Sequence, residues 1–222
     1  MNKEQQQNLL AKVDHTLLGV TATRADYIKL CDEGATYKVA SVCVPPSRVS
    51  LCVNHLAGKI PVCTVVGFPN GYMEAKAYET ELAIKQGATE IDMVIDLGRV
   101  KEKDFEYVLS DIKQVRAACE GHILKVIIET AHLTQEEKIT LCDIVSTSGA
   151  DYIKTSTGFA GGGATFEDVE LLRKYVKPHI KVKAAGGITT MEDAIRFVEL
   201  GADRLGTSRI VKLIQGLEGS GY

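Results

Sequence analysis

Short runs of apolar and β-branched residues recur along the whole chain, separated by longer stretches with helical spacing. The runs are VDHTLL, YKVASVCV, IPVCTVVGF, EIDMVIDLG, HILKVIIET, DYIKTSTG, IKVKAAGG and DRLGTS, and they predict eight strands. Between them TRADYIKLCDEG, SRVSLCVNHLAG, YMEAKAYETELAIKQG, KDFEYVLSDIKQVRAAC, TQEEKITLCDIVSTSG, TFEDVELLRKYV and MEDAIRFVELG repeat apolar positions three and four apart, as an amphipathic helix does. A further short helix is predicted over residues 3–12. Strict alternation of strand and helix implies crossover connections and a parallel sheet.

Glycines punctuate the helical stretches. Gly34, Gly58, Gly87, Gly149 and Gly201 stand where a left-handed residue would close a helix, and a Gly-Ala phrase recurs in EGATY, QGATE, SGADY and LGADR. This repeated α-to-β connection, with eight strands in 222 residues, predicts a single-domain (β/α)₈ TIM barrel of the α/β class over residues 1–222. An open doubly wound sheet is the alternative, because a sequence does not show whether the eighth strand pairs with the first. The tail, residues 216–222, is rich in glycine and is expected to be flexible, with Tyr222 either fraying in solvent or folding over a site.

Composition narrows the function classes. The formal net charge is −3 and the basic residues are scattered, so the chain lacks the positive surface that a nucleic-acid backbone requires. The amino terminus begins polar, and no apolar run approaches the roughly 18 residues of a membrane span, so neither export nor membrane insertion is expected. Six dispersed cysteines without Cys-x-x-Cys pairs point to reduced thiols in the cytoplasm. Five histidines form no cluster at metal-ligand spacing, and no metal site is expected.

Charges inside the strands are the first chemical signal. A parallel sheet covered by helices buries both strand faces, so ionisable strand residues need a partner or a use. Asp92 lies within EIDMVID, Lys154 ends DYIK and Lys183 ends KVK. At the carboxyl ends of neighbouring strands, roughly 4.8 Å apart, the two lysines would be neighbours at the catalytic face of a barrel. A lysine near its ordinary pKa of about 10.4 is protonated and not nucleophilic, and a second ammonium beside it favours loss of that proton. Asp92, on the fourth strand, would carry protons. The bland alternative is a buried network that only fixes the strands. Lys181, one pleat earlier than Lys183, is expected in solvent at the far end.

The second signal is a phosphate site. AAGGI after the seventh strand (Gly186, Gly187) and LGTSRI after the eighth (Gly206, Thr207, Ser208) occupy the two turns where barrel enzymes bind phosphate on backbone amides. TSTGF adds Thr155, Thr157 and Gly158 after the sixth. Asp14 either orients a substrate hydroxyl or anchors the first strand, and Cys43 is either a small buried hydrophobe or a substrate-facing residue.

Taken together, VDHTLL, SVCVPPSRV, EIDMVIDLG, DYIKTSTGF, KAAGGI and RLGTS resemble the deoxyribose-phosphate aldolase family of class I aldolases over essentially the whole chain. The resemblance implies reversible cleavage of 2-deoxy-D-ribose 5-phosphate to D-glyceraldehyde 3-phosphate and acetaldehyde in deoxyribose phosphate catabolism, without metal or organic cofactor. It also implies the Schiff base on Lys154, the perturbing role of Lys183, proton transfer at Asp92, Asp14 and Cys43 at the site, phosphate contacts from Gly158, Gly186, Gly187, Gly206 and Ser208, and a proton-relay tyrosine at Tyr222. A homodimer is expected on the same ground. Three positions depart from the usual pattern. Asp96 and His132 replace a common Asn and a common apolar residue, and Phe159 stands where some members carry a lysine. Asp96 is expected to add charge to the fourth strand. Another phosphate-binding barrel enzyme and a non-catalytic barrel remain the competing classes.

Overall fold

The computed structural model of the chain describes residues 1–72 and 74–217, and Tyr222 lies outside them. Eight strands run β1 (Val13–Thr16), β2 (Ser41–Val44), β3 (Val62–Val66), β4 (Glu90–Val94), β5 (Ile123–Ile127), β6 (Tyr152–Lys154), β7 (Lys181–Ala185) and β8 (Arg204–Thr207). All neighbouring pairs are parallel, and β1 pairs with both β2 and β8, so the sheet closes into a barrel and the open-sheet alternative falls. Each predicted strand is present over part of its predicted run.

Helices fill the crossovers: α1 (Lys3–Leu10), α2 (Arg24–Tyr37), α3 (Val49–Leu56), α4 (Lys76–Lys85), α5 (Leu97–Lys101), α6 (Phe105–Ala118), α7 (Gln135–Thr147), α8 (Phe166–Tyr175), α9 (Met191–Glu199) and α10 (Ile210–Ile214). Threonines start several of them. Thr23, Thr134 and Thr190 each accept from the backbone N–H three residues on, while the acidic side chain there reaches back to the threonine N–H. None of the described helices is long and apolar enough to cross a membrane.

Some boundaries differ from the sequence reading for identifiable reasons. Helix α1 stops at Leu10 instead of running to 12, because the Lys12 carbonyl accepts the Leu205 N–H (2.7 Å) and joins the chain to the sheet. Gly34 is not a helix end: α2 continues through it to Tyr37, and the left-handed cap is Lys38 (φ 51°). Glycine is required at 34 for closeness, since a Cβ there would lie 2.8 Å from Ile60 and 2.9 Å from Val42. Gly87, Gly149 and Gly201 are left-handed at their helix ends, as predicted. The fourth strand ends at Val94. Asp96 is therefore not a strand charge but the N-cap of α5, its carboxylate accepting the Arg99 N–H.

The pleat sorts the strands into two environments. Outward residues such as Val42, Ile91, Met93, Leu124, Val126, Ile153, Val182 and Leu205 pack against the helices in one apolar core. Inward residues include Asp14, Glu90, Asp92, Lys125, Lys154, Lys183 and Arg204, all buried. Cys43 belongs to a small apolar cluster with Leu18, Cys63 and Val65 on the same interior side. The interior of this barrel is thus largely an ion network, whose geometry decides what the molecule can do.

Candidate active site

Asp92 sits at the centre of the network and is fully buried. Its Oδ2 accepts from Lys154 Nζ and Lys183 Nζ, each at 2.7 Å, and its Oδ1 from Lys125 Nζ (2.8 Å) and the Cys63 thiol (3.2 Å). The strand register makes this arrangement possible. Asp92 pairs with Lys125 across β4 and β5, and Lys154 pairs with Lys183 across β6 and β7. Burial opposes ionisation of Asp92, but Lys125, Lys154 and Lys183 outweigh it and hold the carboxyl well below the usual carboxylate range.

A second carboxylate underlies the first. Asp14 Oδ2 accepts from Lys183 (2.5 Å), and its Oδ1 accepts from Ser41 Oγ (2.7 Å) and Arg204 Nη1 (2.5 Å). Burial acts against its charge too, and Lys183, Lys125 and Arg204 overcome it, so Asp14 also stays ionised far below its ordinary value. Glu90 completes the base, 2.6 Å from Lys125 and 3.1 Å from Arg204. Lys183 and Lys125 are displaced upwards: desolvation disfavours their charge, but the surrounding carboxylates prevail and keep both as ammonium ions.

Counted by ion pairs, four cations (Lys125, Lys154, Lys183, Arg204) face three carboxylates (Asp14, Glu90, Asp92). Of the four, Lys154 alone lines the cavity above the network, and the other charges match without it. Cys43, Cys63 and Asp92 have ligand atoms close enough for a metal ion, as do Asp14, Cys63 and Glu90. The carboxylate oxygens concerned already face ammonium or guanidinium groups, so a metal there would meet cations. Cys43 lies in register beside Cys63, whose thiol pulls that of Cys43 below its usual value against the effect of burial.

Above the network a cavity opens at the carboxyl ends of β1, β6, β7 and β8. Lys154 reaches its floor, and Thr157, Gly186, Gly187, Gly206, Thr207 and Ser208 line its walls with Thr16, Leu18, Ile188, Thr189 and Arg209. Gly186 and Gly187 are consecutive left-handed residues (φ 72° each), a turn favouring glycine. Gly163 packs backbone to backbone against them, since a Cβ on it would lie 2.6 Å from the Gly186 carbonyl carbon.

Other predicted residues lie elsewhere. Thr155 is fully buried and does not line the cavity. Its hydroxyl accepts the Ala185 N–H (3.1 Å) and lies 3.3 Å from the Ala185 carbonyl, tying β6 to β7. Gly158 (φ 82°) turns the chain after β6 outside the cavity lining, and Cys43 remains in its apolar cluster. The amides of Thr189 and Thr190 do not face the cavity as anion donors, because both donate to Asp193 (3.2 and 3.0 Å). Lys181 is exposed and lies over the Tyr152 ring, in accord with its expected place. His132 bonds the Ala160 carbonyl at 2.8 Å, linking the segment after β5 to the one after β6.

Sequence reasoning missed Lys125, Glu90 and Arg204, although each is a charge within a buried strand and the rule that selected Asp92 selects them as well. It also missed Glu129. This buried residue has a left-handed backbone (φ 54°), and its carboxylate accepts both the Thr157 N–H (3.1 Å) and the Thr157 hydroxyl. Thr157 is thereby fixed at the cavity wall. Glu129→Ala removes the acceptor for two buried donors and is expected to cost about 1–3 kcal/mol of stability in denaturant unfolding. A loss below about 0.5 kcal/mol, the scale of a surface change, would count against this anchoring.

The family model of DeoC/LacD family aldolases matches residues 9–217. A deoxyribose-phosphate aldolase of Streptococcus pyogenes serotype M4 is 55% identical over 94% of both chains, and one from Streptococcus agalactiae serotype Ia is 54% identical over 94% of both. Among solved structures, the tetrameric deoxyribose phosphate aldolase from Aeropyrum pernix superposes with a TM-score of 0.84 at 32% identity, covering 95% of this chain and 91% of that one.

Proposed function

The chain belongs to the DeoC/LacD family of aldolases, and from that premise we propose that Lys154 is the Schiff-base lysine of a class I cleavage of 2-deoxy-D-ribose 5-phosphate. The reaction yields D-glyceraldehyde 3-phosphate and acetaldehyde and is reversible. The observation that carries the assignment to Lys154 is its place: of the four buried cations it alone lines the cavity, and giving up its proton to become a nucleophile leaves three cations facing three carboxylates.

In this reading the Lys154 amine adds to the aldehyde carbon of the open-chain sugar, and loss of water gives an iminium. The substrate's C3 hydroxyl gives up its proton, the C2–C3 bond breaks, and the electron pair moves into the iminium to leave an enamine on Lys154. Glyceraldehyde 3-phosphate departs. The enamine carbon then takes a proton, and water releases acetaldehyde and the free lysine. Asp92, 2.7 Å from the nitrogen, accepts and returns the protons of imine formation, directly or through water. Lys183 and Lys125 bracket that carboxylate and keep it ionised. The glycine turns at 186–187 and 206–208 hold the phosphate away from the breaking bond, which fixes the reacting atoms without touching them.

Asp14 holds Lys183 and Arg204 as a base for the site. The reading places the enzyme in the cytoplasm, where buried thiols such as Cys43 and Cys63 stay reduced. It includes self-association as a homodimer, supported by the Aeropyrum pernix relative's tetramer and checked by sedimentation equilibrium. The assignment is tested by borohydride reduction in the presence of acetaldehyde and peptide mass spectrometry. A reduced adduct on Lys154 is expected. An adduct on Lys183 or Lys125, or none, would overturn it.

A further inference from the structure

A buried charge pair lies outside the catalytic network. Lys76 opens α4 and is fully buried, and its Nζ donates to the Asp111 carboxylate on α6 and, at 2.7 Å, to the Val94 carbonyl that ends β4. Asp111 Oδ1 is buried without a hydrogen-bond partner among the described residues. Desolvation pushes the Lys76 ammonium down and the Asp111 carboxyl up from their ordinary values, in each case against the pull of the partner's charge. A pair whose attraction does not offset its burial is a poor stabiliser, and an apolar pair of similar volume would hold the helices about as well. Its value to the molecule lies in what it positions.

The Lys76 stem is the surface on which the turn after β3 is laid. Gly67 follows β3 with a left-handed backbone (φ 59°), and a Cβ on it would lie 2.7 Å from Lys76 Cδ and 2.8 Å from Cγ. The Gly67 N–H donates to Glu79 Oε2 (2.7 Å), further along α4, and the Gly67 carbonyl accepts the Gly71 N–H (2.6 Å). Gly71 in turn lies against the backbone after β4, since a Cβ there would be 2.1 Å from the Ile95 carbonyl oxygen. The 67–71 turn is therefore held between α4 and the end of β4, the two places that Lys76 joins.

The turn carries Phe68, which packs against the cluster of Leu18, Cys43, Cys63 and Val65. That cluster borders the chemistry. Leu18 lines the cavity with Lys154, and the Cys63 thiol donates to Asp92 (3.2 Å), whose other oxygen is 2.7 Å from Lys154 Nζ. We propose that Lys76 is a positioning residue: by fixing the 67–71 turn against β4 it sets, through Phe68, the apolar wall beside Lys154 against which the two-carbon half of the substrate is held. This rests on Lys154 as the Schiff-base lysine. The glycine turns after β7 and β8 belong to other elements, so the phosphate end is untouched.

Acetaldehyde alone reports on the two-carbon half, through exchange of its methyl hydrogens with deuterated solvent by way of the enamine. The KM for D-glyceraldehyde 3-phosphate in the synthetic direction reports on the other half. Three variants separate positioning from stability. Lys76→Met removes the charge that holds the stem to Val94 and strands Asp111. Lys76→Met/Asp111→Leu removes both charges and recovers most of the melting temperature that the single variant loses. Lys138→Met breaks another pair, Lys138–Asp168 (2.5 Å), which joins α7 to α8 away from the turn. In both Lys76 variants the exchange rate at limiting acetaldehyde is expected to fall about 10- to 100-fold, the scale of a misplaced reacting group. The KM for glyceraldehyde 3-phosphate stays within about 3-fold, and Lys138→Met exchanges at the wild-type rate.

An exchange rate within about 3-fold of wild type in the Lys76 variants would leave the pair a structural role only and overturn the proposal. So would equal losses at the two halves, an exchange rate that returns with the melting temperature in the double variant, or the same loss in Lys138→Met. If Lys76→Met does not fold, the double variant carries the test alone. Failure of the Schiff-base reading looks different: borohydride would then trap nothing on Lys154 in wild type.

Discussion

Lys154→Met is expected to abolish cleavage while leaving the barrel nearly as stable as before. The two halves of this result come from the same geometry. Methionine keeps an unbranched stem in the channel that the lysine occupies but has no amine to form the imine, and loss of a covalent nucleophile costs on the order of 10⁵-fold or more in turnover. Removal of a member of a buried ion network usually destabilises strongly, by about 3–5 kcal/mol, because it strands the partner's charge. Here Asp92 keeps Lys125 and Lys183 when Lys154 is gone, and the remaining cations and carboxylates match. A retro-aldol assay with thermal melts reads both quantities. Residual activity within about 100-fold of wild type would remove Lys154 from the chemistry, and a melting loss comparable to that of Lys183→Met would refute the charge balance.

The same interior explains how much of the molecule was legible in the sequence. Strand positions were readable because the outward residues are apolar and β-branched and the helices between them are periodic. The barrel's closure was inferred from count and regularity, and the pairing of β1 with β8 supports it. Lys154, Lys183 and Asp92 stood out as charges where a buried strand should be apolar. Lys125, Glu90 and Arg204 carry the same signal but lie deeper in the barrel, away from the carboxyl strand ends where catalytic groups are expected. Their importance is collective: none touches the cavity, yet each sets the charge around Asp92.

Other features had little or no sequence signature. Glu129 stands near the end of the fifth predicted strand run, HILKVIIET, with no pattern to single it out, and its role depends on a left-handed backbone that places its carboxylate under Thr157. Thr155 and Thr157 look alike in TSTG, but one hydroxyl is turned into the β6–β7 seam and the other to Glu129 at the cavity wall. Gly34 resembles the helix-ending glycines in its Gly-Ala context, although the crowding of Ile60 and Val42 is what requires it. Such distinctions come from neighbours remote in sequence.

Asp92→Asn is expected to have the largest effect on stability and to lose activity as well. The amide cannot neutralise the ammonium groups around it, so Lys125, Lys183 and Arg204 are left sharing two carboxylates, Asp14 and Glu90, and the amide nitrogen must face a donor. About 3–5 kcal/mol is the usual cost of such a break, and for a domain of this size each kcal/mol lowers Tm by about 2–4 °C, giving a fall of about 6–20 °C at neutral pH. The pH dependence supplies the sharper check. The folded state holds Asp92 and Asp14 ionised below their ordinary values, so their contribution is fully present above the unfolded carboxylate range, near pH 4, and is lost as pH falls towards the folded values. Lys125 and Lys183 are raised, so their contribution is present below about pH 10 and is lost as pH rises through the folded values. Wild type should therefore show a stability plateau between these limits with a steep acid edge. In Asp92→Asn one of the two strongly depressed carboxylates is gone, so the melting curve should start lower and fall less on acidification below pH 4, converging on wild type. Parallel acid edges in the two proteins would mean that Asp92 does not carry the charge on which the network is built.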